Sequence, residues 1–262
     1  MKCCICGTVK NCGKYLDSVF KNMEIIGSLF EDFDIVIFYD NSTDNTLNIL
    51  KDYQKLNKNF FLYINKNDIS KLRTVRLAYA RNKCIKYVFS SSKNYDFFIM
   101  MDCDDVCSTK INIDVLKKQL KIDTWDGLTF NKNDYYDIWA LSKYPYLISF
   151  FHRKQNLYDE IKSNIKNLLK NLEKDELLQC WSAFNGFGIY RKEKFRNCFY
   201  NGIFNFHLFP KNLIKHEIKD DNIKFLLYEK ENIEDCEHRS FHVQSIIKNN
   251  AKIVISPSIL FE

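Results

Sequence analysis

Three acids fall within four residues at Asp102-Cys103-Asp104-Asp105, directly after the apolar run Phe97 to Met101. In an extended segment alternate side chains share a face, so Asp102 and Asp104 converge while Cys103 points away. Converging carboxylates repel one another unless a cation or another positive group sits between them. Hard oxygen donors favour Mg²⁺ or Mn²⁺, which would bridge to a diphosphate and stabilise its charge as it leaves. The competing account makes the acids turn residues that cap a helix starting near Lys110. A D-x-D pattern is short, but this one follows a buried run. Ligands of open α/β sheets bind outside the carboxyl ends of the strands, so the placement favours a site.

Hydrophobic periodicity supplies the elements that would hold these acids. Residues 3 to 9 read as a first strand, and Leu16, Val19, Phe20, Met23 and Ile26 share one helical face. Asp34 to Tyr39 is a continuous β-branched and aromatic run, the mark of a buried parallel strand. Asp40 to Asp44 supplies turn and cap chemistry, and Leu47, Leu50 and Tyr53 continue as a helix. Phe60 to Ile64 is a third strand, Val75, Ala78, Ile85, Val88 and Phe89 mark a helix, and Phe97 to Met101 is a fourth strand. This alternation predicts right-handed crossovers and an open parallel sheet. Further on, Trp125 to Phe130 and Tyr135 to Leu141 read as strands, and Tyr158 to Leu172 as an amphipathic helix. Cys180 to Tyr190 reads as extended, followed by a helix over Glu237 to Lys248 and a strand over Lys252 to Ser256. With no repeat and no linker, residues 1–262 are expected to form one domain.

Composition bounds the function classes. Hydrophobic residues make up 46% and aromatics 15%, which excludes a disordered chain. The net charge of +6 suits an anionic ligand such as a nucleotide diphosphate, but without a basic stripe it does not argue for nucleic acid. Cys3, Cys4, Cys6 and Cys12 crowd together, yet the first three lie in the predicted first strand, where thiols act as small hydrophobes. No second ligand cluster with zinc spacing follows them. Lys2 precedes only a short apolar run, so no cleaved leader is expected, and no stretch approaches the roughly 20 apolar residues of a membrane span. The ten thiols are expected to be free, in a reducing cytoplasm.

Three segments around the acids carry a resemblance. Asp40-Asn41-Ser42-Thr43-Asp44-Asn45-Thr46 resembles the D-G-S-x-D-x-T segment of family-2-like GT-A glycosyltransferases. Residues Arg73 to Asn82 resemble their A-A-R-N helix and the equivalent helix of fungal capsule-related mannosyltransferases, and Thr8 to Asn11 matches the loop after their first strand. The resemblance covers roughly residues 1–110. It implies a GT-A (Rossmann-like) α/β fold, an open mixed sheet, mostly parallel, flanked by helices. It further implies a nucleotide-sugar half over 1–110 and an acceptor half over 111–262. Thr8 and Asp40 would line the base and ribose pocket, and Arg73 and Arg76 would meet the base or a phosphate. Asp102 would lie near ribose and metal, and Asp104 would be the main ligand of Mn²⁺ or Mg²⁺. Without the resemblance, Arg73, Arg76 and Arg81 read as a solvated helix face. Asn41 replaces the family's glycine, a position where asparagine tolerates left-handed backbone geometry.

In the second half, Asp235-Cys236-Glu237-His238 resembles the family's E-D element, whose acid is the general base of inverting members. Glu237 falls closest to that position, with Asp235 and Glu234 as competitors. His238 and His242 share one helical face, and by likeness to enzymes with a late histidine ligand His242 is the expected further metal ligand. Trp181 to Gly188 resembles the glycine-bearing acceptor loop, with Trp181 and Gly186 the expected pocket residues and core packing the competing role for its aromatics. The resemblance thus implies a UDP-sugar donor, with GDP-sugar as the alternative, and a glycan or other hydroxyl acceptor. Two rivals remain: a sugar nucleotidyltransferase, which lacks its usual Gly- and Lys-rich loop in Thr8 to Lys14, and an inactive carbohydrate-binding protein.

Overall fold

In this computed structural model the described residues are 1–148, 155–173, 175–214 and 234–262. Part of the half expected to bind the acceptor therefore lies outside them. The first half alternates as the periodicity requires: β1 (Lys2–Val9), α1 (Leu16–Gly27), β2 (Asp32–Tyr39), α2 (Thr46–Leu56), β3 (Phe60–Ile64), α3 (Arg73–Ser90) and β4 (Phe97–Asp102). Then come the short helices α4 (Asp105–Ser108) and α5 (Ile113–Gln119), β5 (Gly127–Asn131), α6 (Gln155–Lys170), β6 (Leu178–Cys180) and β7 (Phe187–Arg191). The chain ends with α7 (Lys211–Ile214), α8 (Glu237–Asn249) and β8 (Ile253–Ile259).

All eight strands form one sheet in the order β3-β2-β1-β4-β7-β5-β8-β6. Strands β3, β2, β1 and β4 pair in parallel, β7 runs antiparallel to β4 and β5, β8 runs parallel to β5, and β6 closes the edge antiparallel to β8. The sheet is thus mixed and mostly parallel. The chain leaves β1 toward β2 on one side and returns as β4 on the other, so a topological switch point falls between β1 and β4, where such sheets open a crevice at their carboxyl ends.

The period of two along β1 divides its thiols between two cores. Cys3 and Ile5 pack with α1 on one face, while Cys4 and Cys6 pack with α3 on the other. All ten cysteines are free and buried, and among the described residues no group of three or more His, Cys, Asp or Glu side chains is set to hold a metal. The N-terminal thiols are core residues, as their strand position requires.

Two expected strands are different. Tyr135 to Leu141 is a partly buried loop with a 3₁₀ turn at Ile138–Ala140. The Asp137 carboxylate caps this turn, accepting from the Ala140 amide at 3.2 Å, and Asn185 Oδ1 accepts from the amides of Tyr136 and Asp137. Side chains thus take the place of a ladder. Cys180 to Tyr190 is split into the end of β6 and the start of β7, because Asn185 (φ 56) and Gly186 (φ 90) adopt left-handed geometry in succession. A Cβ on Gly186 would lie 2.3 Å from Val106 Cγ1, so glycine is needed for space as well as for conformation.

Candidate active site

A cavity of about 340 Å³ opens at the carboxyl ends of β1, β2 and β4. Thr8 lines it from the end of β1, Asp40 from the residue after β2, Asp102 from the end of β4, and Asp104 from the turn that follows. Helix α3 contributes Arg73, Arg76 and Arg81, and the first turn of α8 contributes Glu237 and His238. Every residue expected to touch nucleotide, base proton or metal therefore faces one cavity, except His242.

The Asp40 segment is laced to the loop after β1. Asn11 Oδ1 accepts from the Thr43 amide at 2.7 Å, Asp44 accepts from Gly13 and Thr46, and Thr46 Oγ1 accepts from Cys12. The left-handed residue of this loop pair is Asn11 (φ 54), not Asn41. Asp40 accepts from Asn65 at 2.9 Å and from Lys10 at 3.2 Å. Burial pushes its carboxyl up, but these hydrogen bonds outweigh burial and hold it below the usual carboxylate range. It remains ionised, a cavity-facing acceptor for a hydroxyl or an N–H.

Arg81 is the hub of the cavity. Its Nη2 donates to Asp102 Oδ1 at 3.0 Å, and its Nη1 contacts both Glu237 Oε1 and His238 Nε2. The guanidinium lies 4.9 Å from the Phe184 ring centroid and 6.0 Å from that of Tyr200. A guanidinium can only donate, so His238 Nε2 accepts and its proton sits on Nδ1. Burial, then Arg81 and His242, keep His238 well below the usual histidine range, hence neutral. Without the resemblance, the sequence puts Arg81 on a solvated face, whereas it is buried. The missed signal is helical spacing, because Ala78, Arg81, Ile85 and Val88 form one buried stripe of α3.

Several carboxyl groups crowd together in the cavity around Arg81. Burial pushes Asp102 up to about 7, with Arg81 opposing and Asp104, Asp137 and Glu237 adding to the rise. Asp104 and Asp137 are raised by burial as well. Asp137 and Tyr136, whose hydroxyl lies 3.4 Å from Asp102 Oδ2, also face the cavity and had no sequence motif to mark them. Such a setting suits a divalent cation. Asp102 and Asp104 supply hard oxygens, and a magnesium-type site takes its remaining ligands from water and phosphate oxygens. Asp104 also stabilises the local backbone, because its Oδ1 caps α4 by accepting from the Val106 amide at 3.1 Å. The competing capping role thus falls to Asp104, at α4 rather than at a helix near Lys110.

The three competing acids near α8 have separate partners. Glu234 Oε2 accepts from the Thr74 amide at 2.9 Å and from its hydroxyl, and so holds the first turn of α3. Asp235 pairs with the buried Arg239 at 3.2 Å. Only Glu237 reaches the cavity.

Three expected site residues lie elsewhere. The His242 ring is fully buried, with Nδ1 3.0 Å from the Ser182 hydroxyl and Nε2 3.0 Å from the Tyr190 hydroxyl. Both nitrogens are engaged, and the residue is a satisfied core histidine rather than a metal ligand. Gly186 stands behind the site, its carbonyl accepting from the Asp102 amide at 2.9 Å. Trp181 packs edge-on against Phe209 and lines a separate hollow.

Solved structures share this architecture. S. aureus TarS resembles the chain with a TM-score of 0.51 and 13% identity, over 100% of this chain and 36% of that one. The 1–349 fragment of S. aureus TarS in complex with UDP gives 0.50 and 13%, over 100% and 59%. The mannosyltransferase PcManGT from Pyrobaculum calidifontis, in complex with GDP-Man and Mn²⁺, gives 0.48 and 13%, over 76% and 47%. The chain thus spans less than two thirds of the length of each. No curated protein matches it. The TarS likeness and the strand order identify the GT-A fold, and residues 4–199 match the profile of glycosyl transferase family 2. Since that match covers well over half of the sequence, the chain belongs to glycosyl transferase family 2.

Proposed function

We propose that the chain transfers a sugar from a nucleotide-sugar donor to a hydroxyl of a glycan or similar acceptor, with a divalent metal as cofactor. The observation that carries this reading is the convergence of Thr8, Asp40, Arg76, Asp102, Asp104 and Glu237 on one cavity at the switch point of the sheet. A UDP-sugar is the favoured donor, supported by UDP in the TarS 1–349 complex, and a GDP-sugar is the alternative.

Asp104 and Asp102 would hold Mn²⁺ or Mg²⁺, which supplies Lewis-acid neutralisation of the departing diphosphate. Asp40 accepts from the base or ribose. Arg73 and Arg76 present cations to phosphate oxygens, Arg76 being steadied by bonds to the Ser70 and Lys71 carbonyls, both at 2.8 Å. Glu237, oriented by Arg81, removes the proton of the acceptor hydroxyl if the reaction inverts the anomeric centre. Tyr136, Trp139 and Phe184 give the acceptor side an aromatic wall.

Calorimetric titration with UDP and GDP, each with and without Mn²⁺, tests this assignment. UDP binding that tightens at least tenfold with Mn²⁺ is expected. Binding of neither nucleotide under either condition would refute the donor site. Sugar-dependent release of nucleotide separates a transferase from an inactive binder.

A further inference from the structure

The hollow that holds Trp181 is a built feature distinct from the cavity just described. Lys143, Tyr144, Gln179 and Trp181 form its walls, and buried Cys180 and Ile253 belong to its floor. Its volume of about 320 Å³ is within the roughly 300–1,000 Å³ typical of small-ligand sites. Tyr144 is 66% exposed, Gln179 is exposed and Trp181 is half-buried. The sheet edge beside it is blunted, since β6 has three residues and Lys143 Nζ donates to the Gln179 carbonyl.

Two largely buried antiparallel segments run between this hollow and the active-site cavity. Ser142 N donates to Ser182 O at 2.8 Å, and Trp181 N donates to Ser142 O at 2.8 Å. Trp139 and Phe184 stand at the cavity end of the pair, and Lys143 and Trp181 at the hollow end. Phe184 and Trp181 are three residues apart, so their backbones are separated by no more than about 10 Å.

We propose that this hollow is a second saccharide subsite, binding a sugar unit of the acceptor remote from the reacting hydroxyl. Aromatic faces suit sugar C–H surfaces, and the carboxamide and ammonium groups suit sugar hydroxyls. The proposal rests on the reading of the chain as a transferase with a glycan acceptor.

The test measures binding of gluco-, manno- and N-acetylglucosamine oligosaccharides of one to six units to the full chain and to its Tyr144→Ala and Gln179→Ala variants. Both positions are exposed and outside the catalytic cavity. Longer oligosaccharides should bind more tightly than monosaccharides, and Tyr144→Ala should cut that affinity roughly tenfold. Nucleotide release from the donor without acceptor should be equal in all three proteins. Equal oligosaccharide affinity in all three, or no binding by any sugar of the panel, overturns the subsite. Dimerisation by light scattering that Tyr144→Ala abolishes assigns the hollow to a second copy and overturns it too. Absence of nucleotide release from the unmodified chain sinks the transferase reading itself, so the two failures are distinct.

Discussion

Arg81 and Asp102 meet at 3.0 Å on the floor of the active-site cavity, and the same guanidinium contacts Glu237 through its other terminal nitrogen. One buried cation therefore ties a proposed metal-side carboxylate to the proposed base. Arg81 and Glu237 are almost wholly buried, so neither charge has water as an alternative partner. The proposed donor and acceptor sides of the cavity share one electrostatic support.

Removing that support should be costly. Arg81→Ala leaves two carboxylates facing each other without a cation, and a loss of about 3–5 kcal/mol in folding stability is expected. Urea denaturation at neutral pH measures it. A loss below about 1 kcal/mol would show that the network contributes little to the fold.

Glu237→Gln keeps the side-chain shape and an oxygen that can accept from Arg81, so the fold and UDP affinity should persist. Transfer to the acceptor should fall by about 10²–10⁴-fold if Glu237 takes the proton. Nucleotide affinity and transfer rate measured on one preparation separate the two effects. An unchanged transfer rate would move the base elsewhere.

The buried His238 and His242 set an acid limit to stability. Burial, then Arg239 and Arg81, hold His242 down to about 3, and His238 is lowered as well. Both folded values lie below the ordinary 6.5, so the unfolded chain binds more protons below that pH. Their contribution is intact above about pH 6.5 and is lost as pH falls toward the folded values, by about 2 kcal/mol at pH 5 for His242. His242→Asn should be less stable than the parent at pH 7 and should show a smaller further loss between pH 7 and pH 5. Parallel losses in the two proteins would contradict the account.

The parallel half of the sheet was legible because each element announced itself by period. The strand Asp34 to Tyr39 had no polar break, and the α1 face from Leu16 to Ile26 repeated at helical spacing. The acids were legible for the same reason, since a buried strand led straight into Asp102. The region around Tyr135 to Leu147 was not legible, because side chains distant in sequence hold its backbone. Arg239 donates to the carbonyls of Trp139, Leu141 and Leu147, and Asn185 holds Tyr136 and Asp137. Such bonds have no period. Arg81 lay within reach of the spacing argument, but its charge concealed its place on the buried stripe. His242 fitted a metal pattern on sequence, and only packing against Ser182 and Tyr190 revealed its core role.

The central claim is that Asp104 holds the metal that carries donor turnover. It is tested most directly by following nucleotide release from UDP-sugars, with Mn²⁺ or Mg²⁺ present, for the parent chain and for Asp104→Ala. The parent should release nucleotide with at least one such donor, and Asp104→Ala should lose at least about 10²-fold of that rate. Its folding stability should drop by only about 1 kcal/mol, the loss of the α4 cap. Full activity in Asp104→Ala, or parent activity unchanged by a metal chelator, would contradict the account.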